Sequence, residues 1–446
     1  MIFNGIPRIF VMLAIFSAAL LVAIPVAGQV GNQTGEAPDY FQQDYLRNQD
    51  HIYVSHIKTA QLHRMGWELS YPYIELGTEE KLLFSFDDLE GGFKEYKYTF
   101  IHCDAGWQTS ELRPSDYLEG FYEDFITDYF PSYNTLQSYT HYQLVFPTAD
   151  MRPLLSGNYL LKVFEAKNPD QVLISMRFMI FENRLRIDGR IHAATDIQER
   201  AYRQEVDFQI DQSTYPMDQP YRQLRVVIQQ NGRWDNAITD LKPRMVKGNI
   251  LDYNHDFDNV FDGLNEFRRF DLKSLRYAGE HIAGIREENS EYVVALKKDY
   301  RRPFQQYSLD RDLNGKRYIK SNEANDSRIE AEYVLVDFQL AYDAPLVHGN
   351  IYVLGGLTYW QLNDASRMAY DVRSKTYRTR LLLKQGYYNY VYAFLEDGQQ
   401  AADVSFIEGT HEETENDYTI LVYYREIGSR YDRLVGLTQL NSLQDR

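Results

Sequence analysis

Histidine, cysteine and aspartate stand side by side at His102-Cys103-Asp104, the residue types from which a thiolate nucleophile and its base are built. Such a nucleophile needs its imidazole within hydrogen-bond reach. The run Tyr96 to Cys103 reads as a strand, and neighbours along a strand point to opposite faces, so His102 and Cys103 do not meet locally. A structural cluster is expected there. His51 and His56 fall on opposite faces by the same reasoning, and the ten histidines form no HExxH or His-Cys grouping.

Asp310-Arg-Asp312-Leu-Asn314-Gly315 matches the first half of a calcium loop, where alternate oxygen ligands converge and glycine relieves the sharp turn. Position twelve would be Ser321, so the bidentate glutamate is missing. Asp310, Asp312 and Asn314 are therefore a weak metal candidate, and a tight turn is the favoured reading because Asp and Asn cap local backbone donors. No Gly-x-Ser-x-Gly elbow and no phosphate-binding glycine loop occurs. Adjacent carboxylates such as Asp87-Asp88 and Glu412-Glu413 are expected to be solvated. No catalytic residue and no cofactor is predicted.

The elements that would carry these residues are strands. A chain of 446 residues exceeds one compact core, and about three domains are expected. With 44% hydrophobic and 25% charged residues it resembles neither a disordered tail nor a polytopic membrane protein. The net charge of −17, with no long basic stripe to offset it, disfavours nucleic acid as a partner. A single cysteine makes no internal disulfide. Residues 1–28, with Arg8, an apolar run from Ile9 to Ala23, Pro25 and a small-residue exit, read as a cleaved secretory signal. No later stretch approaches eighteen apolar residues, so no transmembrane segment is expected after its removal.

Short strand-like runs separated by turn formers begin near Tyr53 and include Leu82 to Phe86, Tyr96 to Cys103, Tyr139 to Phe146, Gly157 to Glu165 and Ile174 to Phe181. Ser156-Gly157 reads as a turn feeding an edge-type strand, and Leu118 to Phe130 as a helix or a long aromatic loop. Ile187 to Ala193, Glu205 to Ile210 and Gln223 to Gln230 belong to a second segment, whose sheet Tyr292 to Lys297 is expected to close. Ser321 to Ser327 reads as an exposed loop or a linker, and a domain boundary is placed there. Glu332 to Ala341, Gly349 to Leu354, Tyr377 to Leu383, Tyr387 to Leu395 and Tyr418 to Arg425 make five last strands. The expected fold is mainly β, with tandem immunoglobulin-like antiparallel β-sandwiches: an N-terminal sandwich over 29–182, a middle β-rich domain over 183–325 and a C-terminal sandwich over 326–446.

Two resemblances accompany this reading. Asn350-Ile-Tyr352-Val-Leu-Gly355-Gly-Leu-Thr-Tyr-Trp360, with Met368 and the later Gly386-Tyr387-Tyr388, resembles an early-set immunoglobulin-like sandwich of the glycogen-binding type. That likeness implies a secreted carbohydrate-binding protein with Tyr359 and Trp360 as a glycan platform. A second likeness covers nearly the whole chain after the signal segment. Leu83-Phe-Ser-Phe-Asp-Asp-Leu89, Tyr98 to Trp107 with His102-Cys103-Asp104, Glu266-Phe267-Arg268-Arg-Phe270-Asp271, Lys384-Gln385-Gly386-Tyr387-Tyr388-Asn-Tyr390 and Asn416-Asp-Tyr418 together resemble the plug protein of the bacterial type IX secretion system. This implies a non-enzymatic periplasmic protein of Bacteroidetes-type bacteria, held at the inner face of the outer membrane. Its implied partner is the giant outer-membrane barrel translocon, whose periplasmic mouth it would close between export events. The matched residues mark either folding or contact with that partner.

Overall fold

A computed structural model describes residues 46–445, so the expected signal segment 1–28 lies outside the described residues. Alternation in the sequence becomes burial in the first sandwich. Tyr96, Tyr98 and Phe100 of strand Tyr96–Cys103 face Leu82, Phe84 and Phe86 of strand Leu82–Asp88, and all six are fully buried. Each such side chain contributes about 1.5–3 kcal/mol on leaving water. One sheet runs His51–Ile52, Asn168–Phe181, Gly157–Glu165, Tyr96–Cys103, Asp124–Phe125, with Tyr73–Glu75 parallel to Asn168–Phe181. The facing sheet runs Ile57–Arg64, Leu82–Asp88, Thr140–Phe146, Asp128–Pro131. Gly157–Glu165 is thus an interior strand, flanked on both sides, and not the edge strand expected from its leading turn. Leu118 to Phe130 is neither helix nor plain loop; it contains the short strands Leu118–Gly120, Asp124–Phe125 and the start of Asp128–Pro131.

The other two sandwiches exchange segments across the boundary expected at 325/326. The middle one stacks a sheet built on Arg186–Ala193 and Arg203–Asp211 against the order Ile238–Leu241, Leu224–Gln230, Asp417–Tyr424, Arg433–Asn441. Val226 pairs with Val422 and Ile228 with Ile420, so the end of the chain completes the middle core and does not belong to the last sandwich. Conversely, Glu291–Leu296 pairs in parallel with Tyr333–Ala341 inside the third sandwich, and does not close the middle sheet. The third sandwich also takes Arg268–Asp271 and Arg317–Ile319, both paired to Gly386–Glu396. Ser321 to Asp326 is a loop that leads into the helical turn Ser327–Glu330, and the strands on either side, Arg317–Ile319 and Tyr333–Ala341, both belong to that sandwich, so no boundary falls there. Periodicity fixes which face of a strand is buried, but not which sheet it joins, and here the partners lie far apart in sequence.

Candidate functional site

Asp87 and Asp88 end strand Leu82–Asp88 and are 1% and 0% exposed, which overturns the expectation that they are solvated. Lys384, the last residue of strand Thr376–Lys384, crosses from the third sandwich and places Nζ 2.7 Å from Asp87 Oδ2. Tyr333 Oη donates to the same oxygen at 2.6 Å, and His141 Nδ1 lies 2.7 Å from Oδ1. Lys384 also donates to the Arg328 carbonyl at 2.7 Å and sits 4.1 Å from the centre of the Tyr139 ring. Burial alone would raise the Asp87 carboxyl; the Lys384 charge and the His141 hydrogen bond bring it below its ordinary value. Gln385 Oε1 accepts the Glu332 N–H at 2.9 Å, while Glu332 Oε1 accepts the Gln137 N–H at 3.1 Å. After the bend at Gln385, Tyr387 is half-buried, and Tyr388 stacks on Phe270 at 5.1 Å in the third core. Two of the quoted runs, Leu83 to Leu89 and Lys384 to Tyr390, therefore meet as a buried joint between sandwiches.

His102-Cys103-Asp104 forms a second joint. His102 packs edge-on against Tyr159 in the first sandwich, and burial lowers its imidazole to about 4, so it is neutral. Gly157 pairs a φ of 139° with this contact, since a Cβ there would lie 2.8 Å from His102 Nε2. Cys103 faces the other way, onto Val227, Leu421 and Leu434 of the middle sandwich, and burial pushes its thiol up to about 12. A protonated thiol pointing away from the imidazole is no nucleophile. Asp104 Oδ1 accepts the N–H groups of Gly106 and Gln108, both at 2.9 Å, and so shapes the turn that carries Trp107. The Arg177 guanidinium lies 4.3 Å from the centre of the Trp107 ring and 5.1 Å from that of Trp234, a residue of the middle sandwich. Tyr423 Oη donates to Asn158 Oδ1 at 2.7 Å across the same joint.

Within the third sandwich, Arg268 donates to Asp299 at 2.7 Å and to both Glu408 oxygens at 3.0 and 3.1 Å. Arg302 Nε holds Glu408 from the other side at 2.6 Å. Asp299 also accepts from Tyr390 at 2.7 Å and from Tyr392 at 2.8 Å. Burial would raise the Asp299 carboxyl, but His281 and Arg268 lower it to about 2. Glu266 accepts from Tyr307 Oη at 2.6 Å, and burial raises its carboxyl. Asp271 accepts the Lys273 N–H at 3.0 Å in a local turn.

Asp310, Asp312 and Asn314 do not converge. Asp310 pairs with Arg269 at 2.6 Å, whereas Asp312 accepts the backbone N–H groups of Phe267 and Asn314. Burial pushes Asp312 up to about 7. Two other groups among the described residues bring potential ligand atoms together, His56/Asp88/Glu90 and His192/Glu205/Asp207. Each already holds a cation: Lys94 reaches Asp88 at 2.8 Å, and Arg190 reaches Asp207 at 3.2 Å.

A cavity of about 180 Å³ lies where the three sandwiches meet, lined among others by Tyr71, Trp234, Lys316, Arg317, Tyr359 and Trp360. Tyr359 and Trp360 are half-buried, and neither offers a bare ring. Arg317 lies 4.7 Å from the centre of the Tyr359 ring, Arg233 lies 4.5 Å from that of Trp360, and Phe267 packs edge-on against the same indole. A sugar platform needs open aromatic faces, so the expected platform is corrected to an interior cation–π assembly. Arg177, Trp234, Asp299 and Glu408 were not singled out from the sequence. Their partners lie in other segments of the chain, and no local spacing announces them.

A family model described as "Type 9 secretion system plug protein 1st domain" matches residues 57–182. A comparison with curated proteins finds no match. Among solved structures, the crystal structure of a hypothetical protein from Parabacteroides merdae ATCC 43184 is similar at 36% identity and a TM-score of 0.86. The alignment covers 89% of this chain and 100% of that one.

Proposed function

The chain belongs to the type 9 secretion system plug protein family, which is not an enzyme family, and from this premise we propose that it is a non-enzymatic periplasmic plug. It binds the giant outer-membrane barrel translocon at the inner face of the outer membrane and closes the periplasmic opening when no substrate passes. The observation that carries this reading is the pair of buried joints, Asp87 with Lys384 and Arg177 between Trp107 and Trp234. A seal over a wide aqueous pore needs bulk that does not flex, and three sandwiches fastened to one another through buried charges and rings supply it. The matched runs serve this rigidity, so they mark folding more than contact. No helix among the described residues is long and apolar enough to cross a membrane.

The test is affinity capture of the tagged protein from detergent-solubilised envelopes, with co-purifying proteins identified by mass spectrometry. Recovery of the giant barrel near one to one is expected. Repeated absence of any outer-membrane barrel in mild detergent and low salt would sink the proposal.

A further inference from the structure

The segment from Leu118 to Leu136 carries four carboxylates, Glu119, Glu123, Asp124 and Asp128, and no lysine or arginine. It also exposes Phe121 (59%), Tyr122, Phe125, Tyr129, Tyr133 (70%) and Leu136. Phe93, likewise exposed, lies 4.7 Å from Tyr129 and extends the apolar surface. The fold concentrates these rings because the segment crosses from one sheet of the first sandwich to the other. Asp124–Phe125 is the outermost strand beside Tyr96–Cys103, and Asp128–Pro131 is the outermost strand beside Thr140–Phe146. Between them only Ile126 is buried.

Exposed aromatics gathered on one flank mark an interaction surface, and rings are enriched where proteins meet. The charges select the occupant. Lys97 lies 3.7 Å from Glu123, and Arg152 pairs with Glu119, but Asp124 and Asp128 make no ion pair among the described residues. An acidic rim repels both an anionic membrane surface and a second copy of a chain whose net charge is −17. We infer that this aromatic, acidic edge is a docking surface for a protein that presents apolar recesses within a basic rim. Resting on the plug reading above, that protein is the translocon, and the edge is where its periplasmic mouth is gripped.

The experiment compares capture of the barrel by the full chain and by three variants: Phe121→Ser/Phe125→Ser/Tyr129→Ser, Asp124→Asn/Asp128→Asn, and Phe257→Ser on an exposed loop of the middle sandwich. A photo-crosslinking residue at Tyr133 reports the neighbour in intact cells. The aromatic variant is expected to lose about 30-fold or more in affinity. The Asn variant is expected to bind a few-fold more slowly and with a flatter salt dependence. Phe257→Ser should bind as wild type, and the Tyr133 crosslink should join the barrel. Unchanged melting temperatures establish that the substituted chains fold; if the triple variant melts early, Phe121→Ser alone replaces it. Equal capture by wild type and the aromatic variant overturns the docking surface while leaving the plug reading in place. No capture by wild type overturns the plug reading itself, and the translocon assignment falls with it. A Tyr133 crosslink between two copies of the chain identifies a self-association surface and overturns the inference.

Discussion

Lys384 places a cation where almost no water reaches it, so its contribution depends on what it meets. Removing one member of a buried ion pair strands the other, at a cost of about 3–5 kcal/mol, whereas replacing both by apolar groups is close to neutral. Lys384→Met is therefore expected to lower the unfolding free energy of the whole chain by that amount in urea denaturation. Adding Asp87→Leu should recover part of the loss, because it removes the stranded carboxylate while leaving Tyr333 and His141 without their acceptor; a double variant as unstable as the two single losses added together would show that the residues act independently. Asp299 supplies the pH dependence. Its folded-state value of about 2 lies below the ordinary 3.8, so ionisation stabilises the fold fully above about pH 4, and this stability is lost as pH falls through 2. The contribution is about 2 kcal/mol at neutral pH. Asp299→Asn removes the titrating group, so the stability gap between wild type and variant should narrow by that amount from pH 6 to pH 2. A gap that stays constant over that interval would show that Arg268 and His281 do not hold the carboxylate as the geometry requires.

Strands Asp417–Tyr424 and Arg433–Asn441 belong to a core built more than 150 residues earlier, and this makes a truncation informative. A chain ending at residue 413 leaves Val226 and Ile228 without Val422 and Ile420 and uncovers one edge of Leu224–Gln230. Hydrogen exchange is expected to show that strand losing its protection, although it lies far from the cut in sequence. Protection retained there would mean that the middle sandwich stands without the end of the chain. The same exchange of segments marks where sequence reading stops. Tyr96–Cys103 and Gly157–Glu165 were legible to the residue because alternation and flanking turns are local properties. The tandem sandwiches followed from the count and spacing of such runs. The assignment of Glu291–Leu296 and Asp417–Tyr424 to sheets was not legible, because pairing is decided by side chains on strands remote in sequence. The site shows the same division. Asp87, His102, Arg268 and Lys384 were all within quoted runs, yet that Asp87 and Lys384 touch, and that Cys103 seals a joint, depended on the assembled fold. Tyr359 and Trp360 were misread because sequence shows two rings and not the arginines that cover them.

At the scale of the molecule, the joints decide whether the three sandwiches behave as beads or as one body. The first is tied to the third through Asp87 and Lys384, and to the middle through Arg177, Trp107 and Trp234. Further ties run from the Tyr423 hydroxyl to Asn158 and from the Arg317 guanidinium to the Ala60 carbonyl. Opening any one sandwich strands buried charges on a neighbour, which couples their unfolding. Calorimetry of the full chain is therefore expected to show one endotherm, with a calorimetric enthalpy equal to the van't Hoff value. Lys384→Met combined with Trp234→Ala loosens both joints and should split that endotherm into two or more. Separate transitions already present in the wild-type protein would show that the sandwiches melt independently. In that case the joints do not confer the stiffness on which closure of a wide pore depends.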